Sequence, residues 1–329
     1  MKELIEGFSL QLKEAKKIAS AYQLPANRVN REIHEVVIAG LGGSAFGGEI
    51  TRKIAEGQAT VPVQIFRSYT LPAHVGPHTL VIVSSYSGNT EETLEAMQHC
   101  LERNAEIVCI TSGGKIADIA REKGLDLVII PSGFPPRAAA GLSFVQQLNV
   151  LAARGIIRDF SKDLDETIAL VENFKDHNTA EILAKKLAGK IPVLYSSDLF
   201  EPCAIRWRQQ INENSKQLCW HHVIPEMNHN ELVGWVHPQA LMDNLYVVLL
   251  RSHQDYPRTA MRFDINKQII AKACKNISEV YAKGDSLLAQ LVYFLHFGDW
   301  VSWYLAQENQ VDPTPVTVID FLKGELAKH

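Results

Sequence analysis

Thr79-Leu80-Val81-Ile82-Val83-Ser84 runs directly into Ser85-Tyr86-Ser87-Gly88-Asn89-Thr90-Glu91-Glu92-Thr93. The first stretch is apolar through its centre and does not alternate, the pattern of a strand buried on both faces. The second places a glycine among hydroxyl side chains, and from Glu91 to Arg103 the apolar residues return at helical spacing. A buried strand that feeds a helix through a short turn is the unit of a parallel sheet. Upstream, the same pattern gives a strand over Val36–Ala39, a helix over Ser44–Ala55 and a strand over Val61–Phe66. Downstream it gives strands over Glu106–Thr111 and Asp126–Ile130, with a helix over Lys115–Lys123 between them. Right-handed connections make this a doubly wound α/β domain, which takes ligands at the carboxyl ends of its strands.

Further out, residues 3–23 read as an amphipathic helix and Gly141–Leu187 as a helix-rich bridge. The alternation then restarts. Strands are expected at Ile191–Ser196, Leu245–Arg251 and Glu279–Ala282, and helices at Pro202–Lys216, Tyr256–Cys274, Ser286–Gln307 and Thr317–Lys328. The Ser286–Gln307 helix, with Trp300 and Trp303, reads as a core helix or a subunit interface. A chain of 329 residues exceeds one ordinary core. Two doubly wound parallel-sheet domains are therefore expected, residues 1–153 with the leading helix and residues 154–329.

The formal net charge of −4 lacks the basic surplus of a nucleic-acid-binding protein. No stretch approaches a membrane span, and the charged N-terminal segment does not read as a leader. The five cysteines are scattered without a CxxC pair, as befits buried thiols in a cytoplasmic protein.

Two turns carry the chemistry. Gly40-Leu41-Gly42-Gly43-Ser44-Ala45-Phe46-Gly47-Gly48 follows the first strand, where glycines let a ligand approach the backbone. The following helix offers unpaired N–H groups to an anion. A dinucleotide fingerprint would close the second strand with an acidic residue, yet it ends in Phe66-Arg67. The second turn sets Ser85, Ser87, Thr90 and Thr93 around a helix start, a neutral site for a phosphomonoester. The same residues also read as an ordinary cap, with Ser87 or Asn89 as N-cap and Glu92 completing a capping box.

A GGSA turn followed by SYSGNTEET resembles the sugar isomerase (SIS) domain, a flavodoxin-like fold. Further motifs narrow the resemblance: Phe134-Pro135-Pro136-Arg137-Ala138-Ala139, Asn212-Glu213-Asn214-Ser215-Lys216, Pro225-Glu226-Met227-Asn228-His229-Asn230-Glu231, and Lys323 in the terminal helix after Pro313-Thr314-Pro315-Val316-Thr317. Together, and in this order, they resemble the bifunctional phosphoglucose/phosphomannose isomerase family. The resemblance implies interconversion of glucose 6-phosphate and mannose 6-phosphate with fructose 6-phosphate, without metal or cofactor. It implies Glu213 as the base, Arg137 as the stabiliser of the enediolate, and His229 and Lys323 as the ring-opening groups. By the same resemblance Gly43, Ser44, Ser85, Ser87 and Thr90 hold the phosphate. A homodimer is implied, with an active-site histidine crossing from the neighbour. Other readings are a non-catalytic SIS sensor and an SIS isomerase for another phosphosugar. His221, His222, Glu226 and His229 also suggest a zinc site, but adjacent histidines on a strand point to opposite faces.

Overall fold

The computed structural model describes residues 1–26, 31–326 and 328. It divides into one unit of Glu6–Glu172 with Ser286–Leu288, and another of Met1–Ile5, Asn173–Asp285 and Ala289–His329. The chain starts with α1 (Lys2–Glu6) and α2 (Phe8–Ala21). The periodicity predicts one helix here, and the break falls at Gly7. Glycine inside a helix costs about 1 kcal/mol relative to alanine.

The first unit continues with β1 (Glu35–Ala39), α3 (Gly42–Glu56), β2 (Val63–Phe66), β3 (Thr79–Ser84), α4 (Glu91–Glu102), β4 (Glu106–Thr111), α5 (Gly114–Lys123) and β5 (Asp126–Ile129). It closes with α6 (Ala140–Ala153) and α7 (Ser161–Glu172). The strands are all parallel, in the order β2-β1-β3-β4-β5. β3 and β4 are buried at every position, as their unalternating sequences require. One sheet face packs Val37, Val81, Val83 and Ile107 against Ala96, Met97 and Cys100 of α4 and Ile116 and Ala120 of α5. Winding reverses at β1 and β3, where Ala39 pairs with Val83. The turns that follow these two strands therefore leave the sheet side by side.

The second unit holds α8 (His177–Leu187), β6 (Ile191–Ser197), α9 (Glu201–Ser215), β7 (Trp220–Ile224), β8 (Leu245–Arg251), α10 (Pro257–Ile270), β9 (Ile277–Tyr281), α11 (Leu287–Glu308) and α12 (Thr317–Leu326). Its sheet is again parallel, ordered β7-β6-β8-β9. β7 is absent from the sequence reading. It is an edge strand whose apolar run is interrupted by His221 and His222. α11 is a core helix, with Trp300 only 2% exposed. The expected terminal helix to Lys328 ends at Leu326, and Ala327 and His329 lie outside the described residues.

α9 and α10 cover opposite faces of this second sheet. Val193, Tyr195, Ile224, Val247 and Leu249 share one face with Phe263 and Ile270 of α10. On the other face, the Trp207 indole of α9 stacks on Phe297 of α11 and its Nε1–H donates to Phe294 O at 2.7 Å. α9 is buried on more than its apolar stripe. Arg206 and Gln210, which helical spacing sets apart from that stripe, are also buried, and both reach Asp299 of α11. Among the described residues no helix is long and apolar enough to cross a membrane. All five cysteines are buried, and burial pushes the Cys100 and Cys109 thiols up to about 12.

Candidate active site

Both turns of the first unit start their helices without a side-chain cap. α3 is entered through Leu41, which has no side-chain acceptor. α4 is entered through Thr90, whose hydroxyl pairs with Ser85 Oγ at 2.9 Å instead of capping. The alternative capping residues are engaged elsewhere. Ser87 Oγ accepts Asn89 N–H at 3.2 Å, and Asn89 Oδ1 accepts Lys115 N–H at the start of α5, 3.1 Å away. The first-turn N–H groups of α3 and α4 thus lack side-chain caps, with Ser44, Ser85, Ser87 and Thr90 around them. Ser44 and Ser85 are buried, Thr90 half-buried and Ser87 exposed. Thr93 is buried one turn into α4, away from its start.

Two glycines make this arrangement possible. A Cβ on Gly43 would sit 2.5 Å from Pro136 O, so the Pro136–Ala138 turn rests directly on the first turn of α3. That contact sets the backbone of Arg137, a residue buried at 8% exposure, against Gly43. Gly88 has φ +69°, and a Cβ there would overlap Gly113 O.

Sequence reasoning missed the residues that tie the turns together. Gln147 of α6 is fully buried. Its Nε2 donates to Ser44 O (3.2 Å), Ser84 Oγ (3.1 Å) and Ser143 Oγ (3.1 Å), and its Oε1 accepts from Thr51 Oγ1 (3.1 Å). Gln11 of α2 clamps the other end of the Arg137 turn. Its Nε2 donates to Ala138 O at 2.7 Å, and its Oε1 accepts Gly141 N–H at 3.0 Å. The burial was legible: Ser143, Gln146, Gln147 and Asn149 interrupt an otherwise apolar α6, and polar side chains on a buried helix seek hydrogen bonds.

The second sheet repeats the strand order with different chemistry at its carboxyl ends. There Asp255 is buried, accepting Ser197 Oγ–H at 2.5 Å and Ser252 N–H at 2.8 Å. Desolvation raises its pKa, partly offset by those hydrogen bonds. An internal carboxylate thus occupies donors at the second sheet's switch point, and α10 begins with Pro257, which has no N–H to offer. Among the described residues, the starts of α3 and α4 at the first switch point carry no such internal carboxylate.

Glu213 lies in the last turn of α9, half-buried, on a cavity of about 670 Å³. The same cavity is lined by Lys216, Leu218 and the run Pro315–Ile319 that enters α12. Lys216 Nζ bridges the two walls, donating to Glu213 O and Pro315 O. Lys323 is exposed and lies one turn beyond Ile319 on the same face of α12. The structure therefore brings Glu213 together with the start of the Lys323 helix.

His229 is elsewhere. It is exposed on the 3₁₀ turn Glu226–His229, whose Met227 packs with α10. Glu213 belongs to the helix on the opposite face of the sheet. Within this unit the two side chains stand on elements covering different faces of the sheet. The histidine-rich zinc set is likewise dispersed, because His221 faces α9 while His222 faces α10. Burial, and then the Arg208 guanidinium, depress the His221 pKa to about 4.

These features define a protein of the SIS class: two parallel α/β units, with uncapped helix starts at one switch point and a carboxylate-bearing cleft. The SIS domain model matches residues 31–152, and the bacterial phospho-glucose isomerase C-terminal SIS domain matches residues 176–326. A bifunctional phosphoglucose/phosphomannose isomerase of Caldicellulosiruptor bescii is 40% identical over 326 residues, covering 95% of this chain and 96% of that one. The Aquifex aeolicus protein of the same description is 37% identical, covering 89% and 91%. The chain belongs to the bifunctional phosphoglucose/phosphomannose isomerase family. The C-terminal domain of a Francisella tularensis glucosamine-fructose-6-phosphate aminotransferase shares the fold, with TM-score 0.76 at 17% identity over 95% of this chain and 97% of that one.

Proposed function

We propose that the protein interconverts glucose 6-phosphate and mannose 6-phosphate with fructose 6-phosphate in the cytoplasm, at the entry to glycolysis and in gluconeogenesis. The observation that carries the phosphate half is the pair of uncapped helix starts flanked by hydroxyls. Gly43, Ser44, Ser85, Ser87 and Thr90 hold the phosphate there. The domain of residues 1–153 supplies this site and Arg137; the domain of residues 154–329 supplies Glu213, His229 and Lys323.

The sugar enters as a closed hemiacetal. His229 and Lys323 move protons between the anomeric hydroxyl and the ring oxygen, and the chain form opens. Glu213 then removes the C2 proton of the aldose. Its electron pair forms the C1–C2 double bond of a cis-enediol, and charge develops on the former carbonyl oxygen, where Arg137 stabilises it. Glu213 delivers the proton, or one it has exchanged with solvent, to C1, while the O2 proton passes to O1 and the carbonyl re-forms at C2. Atoms and electrons balance within the sugar, so no external oxidant or reductant is consumed. Glucose and mannose 6-phosphates differ at C2 alone, and the enediol erases that difference. Thr317 lines the Glu213 cavity and is our candidate for the small residue that lets either epimer sit.

The opposite-face placement of Glu213 and His229 supports a homodimer in which His229 serves the neighbour's site. A coupled assay on both aldose phosphates tests the reading. Glu213→Gln is expected to lose about 10²–10⁴-fold in kcat. Turnover that survives in the variant removes Glu213 as the base, and a chain inert on both sugars sinks the isomerase reading.

A further inference from the structure

We propose that Gln147 is a positioning residue for the phosphate site, fixing the two turns at the spacing a phosphate requires. The inference rests on the phosphate reading above. The two turns belong to different strands and helices, and backbone pairing joins their strands only as far as Ala39 and Val83. Past that point, one buried side chain reaches both the α3 turn and the end of β3. The Gln147 amide donates to the Ser44 carbonyl in the first turn of α3 and to Ser84 Oγ at the end of β3. Ser143 Oγ lies 3.1 Å from both Gln147 Nε2 and Ser84 Oγ, closing a buried triangle between α6 and β3.

The Ser44 carbonyl can only accept, and this fixes which way the amide faces; on its other side Thr51 Oγ1 shares its one proton between Gln147 Oε1 and Gly47 O. Turning the amide over would set Oε1 against the Ser44 carbonyl and leave that acceptor without its donor. In a site this deeply buried an unpaired acceptor is costly, which favours one orientation. None of these atoms is placed to touch the ligand. Their effect is to hold the Ser44 carbonyl, and with it the N–H groups of the first turn of α3, against the Ser85–Thr90 turn. A multidentate anion site loses affinity steeply when its donors drift apart.

Gln146 supplies an internal control. It is the next residue on the same helix, equally buried, and its Nε2 donates to Ala15 O of α2 at 2.8 Å, on the side away from the turns. Removing either amide costs stability, but only Gln147 is expected to change anion affinity. The test is calorimetric binding of inorganic phosphate to the full chain, with steady-state KM and kcat beside it, for Gln147→Met, Thr51→Val and Gln146→Met. Gln147→Met is expected to weaken phosphate binding and raise KM by about tenfold, with kcat within about twofold of the parent. Thr51→Val should follow in the same direction by a smaller factor, while Gln146→Met leaves both constants unchanged. Unchanged phosphate affinity in Gln147→Met overturns the proposal, and so does an equal loss in Gln146→Met. If the unsubstituted chain binds no phosphate, the phosphate reading itself fails, a result distinct from either.

Discussion

At the scale of single residues, close approach and burial decide more than identity of charge. Gly43 is the point at which the Arg137 turn touches α3, and its neighbour there is backbone, which cannot rotate away. Gly43→Ala must push the Arg137 turn off the first turn of α3. We expect kcat and phosphate affinity both to fall by at least about tenfold, read by steady-state kinetics; a variant with parental constants contradicts the contact. His296 of α11 shows the other effect. Burial, then the neighbouring His177, depress its pKa to about 3, and Trp300 Nε1–H donates to its Nε2 at 3.1 Å. The unfolded imidazole titrates near 6.5. Between those values the unfolded chain binds the proton and the folded chain does not. The stabilising effect is complete above about pH 6.5 and is lost as pH falls from there towards 3. Urea midpoints from pH 7.5 to 4.5 should therefore decline less steeply in His296→Gln than in the parent; parallel declines would mean that His296 is not held neutral.

Elements were legible where their sequences were extreme. The unalternating runs of β3, β4 and β8 have the bounds that sequence patterning assigns, because burial on both faces leaves one reading. β7 was not legible, because an edge strand with a half-exposed histidine pair lacks that signature. Its absence also hid the faces of the second sheet, and with them the separation of Glu213 from His229. Residue choice at the candidate site came from motifs in order along the chain; physical patterning alone would have left Glu213 and Lys323 as surface charges. The burial of Gln147 could be read from α6, but its role could not, since its partners Ser44 and Ser84 lie far away in sequence. The face assignment has a consequence of its own. Glu213→Gln and His229→Ala chains, each inactive alone, should regain about a quarter of parental activity when refolded as an equimolar mixture, because half of the dimers carry one intact site. Activity no greater than the sum of the two separate variants would confine both side chains to one copy.

Across the whole molecule, duplication of the sheet did not duplicate the site. Both units wind in the same order, but the first leaves its switch-point donors open while Asp255 fills those of the second. The proposed function accordingly assigns the anion to the first crevice and proton transfer to residues of the second unit. The central claim is that a hexose phosphate is isomerised by moving a proton through an enediol. Turnover of glucose 6-phosphate in D₂O, followed by NMR, tests it most directly. The account predicts deuterium at C1 of the fructose 6-phosphate formed and at C2 of recovered aldose, with the exchange abolished in Glu213→Gln. Exchange that persists in Glu213→Gln would contradict the base, and aldose and ketose that both stay free of deuterium through many turnovers would contradict an enediol whose base exchanges its proton with solvent.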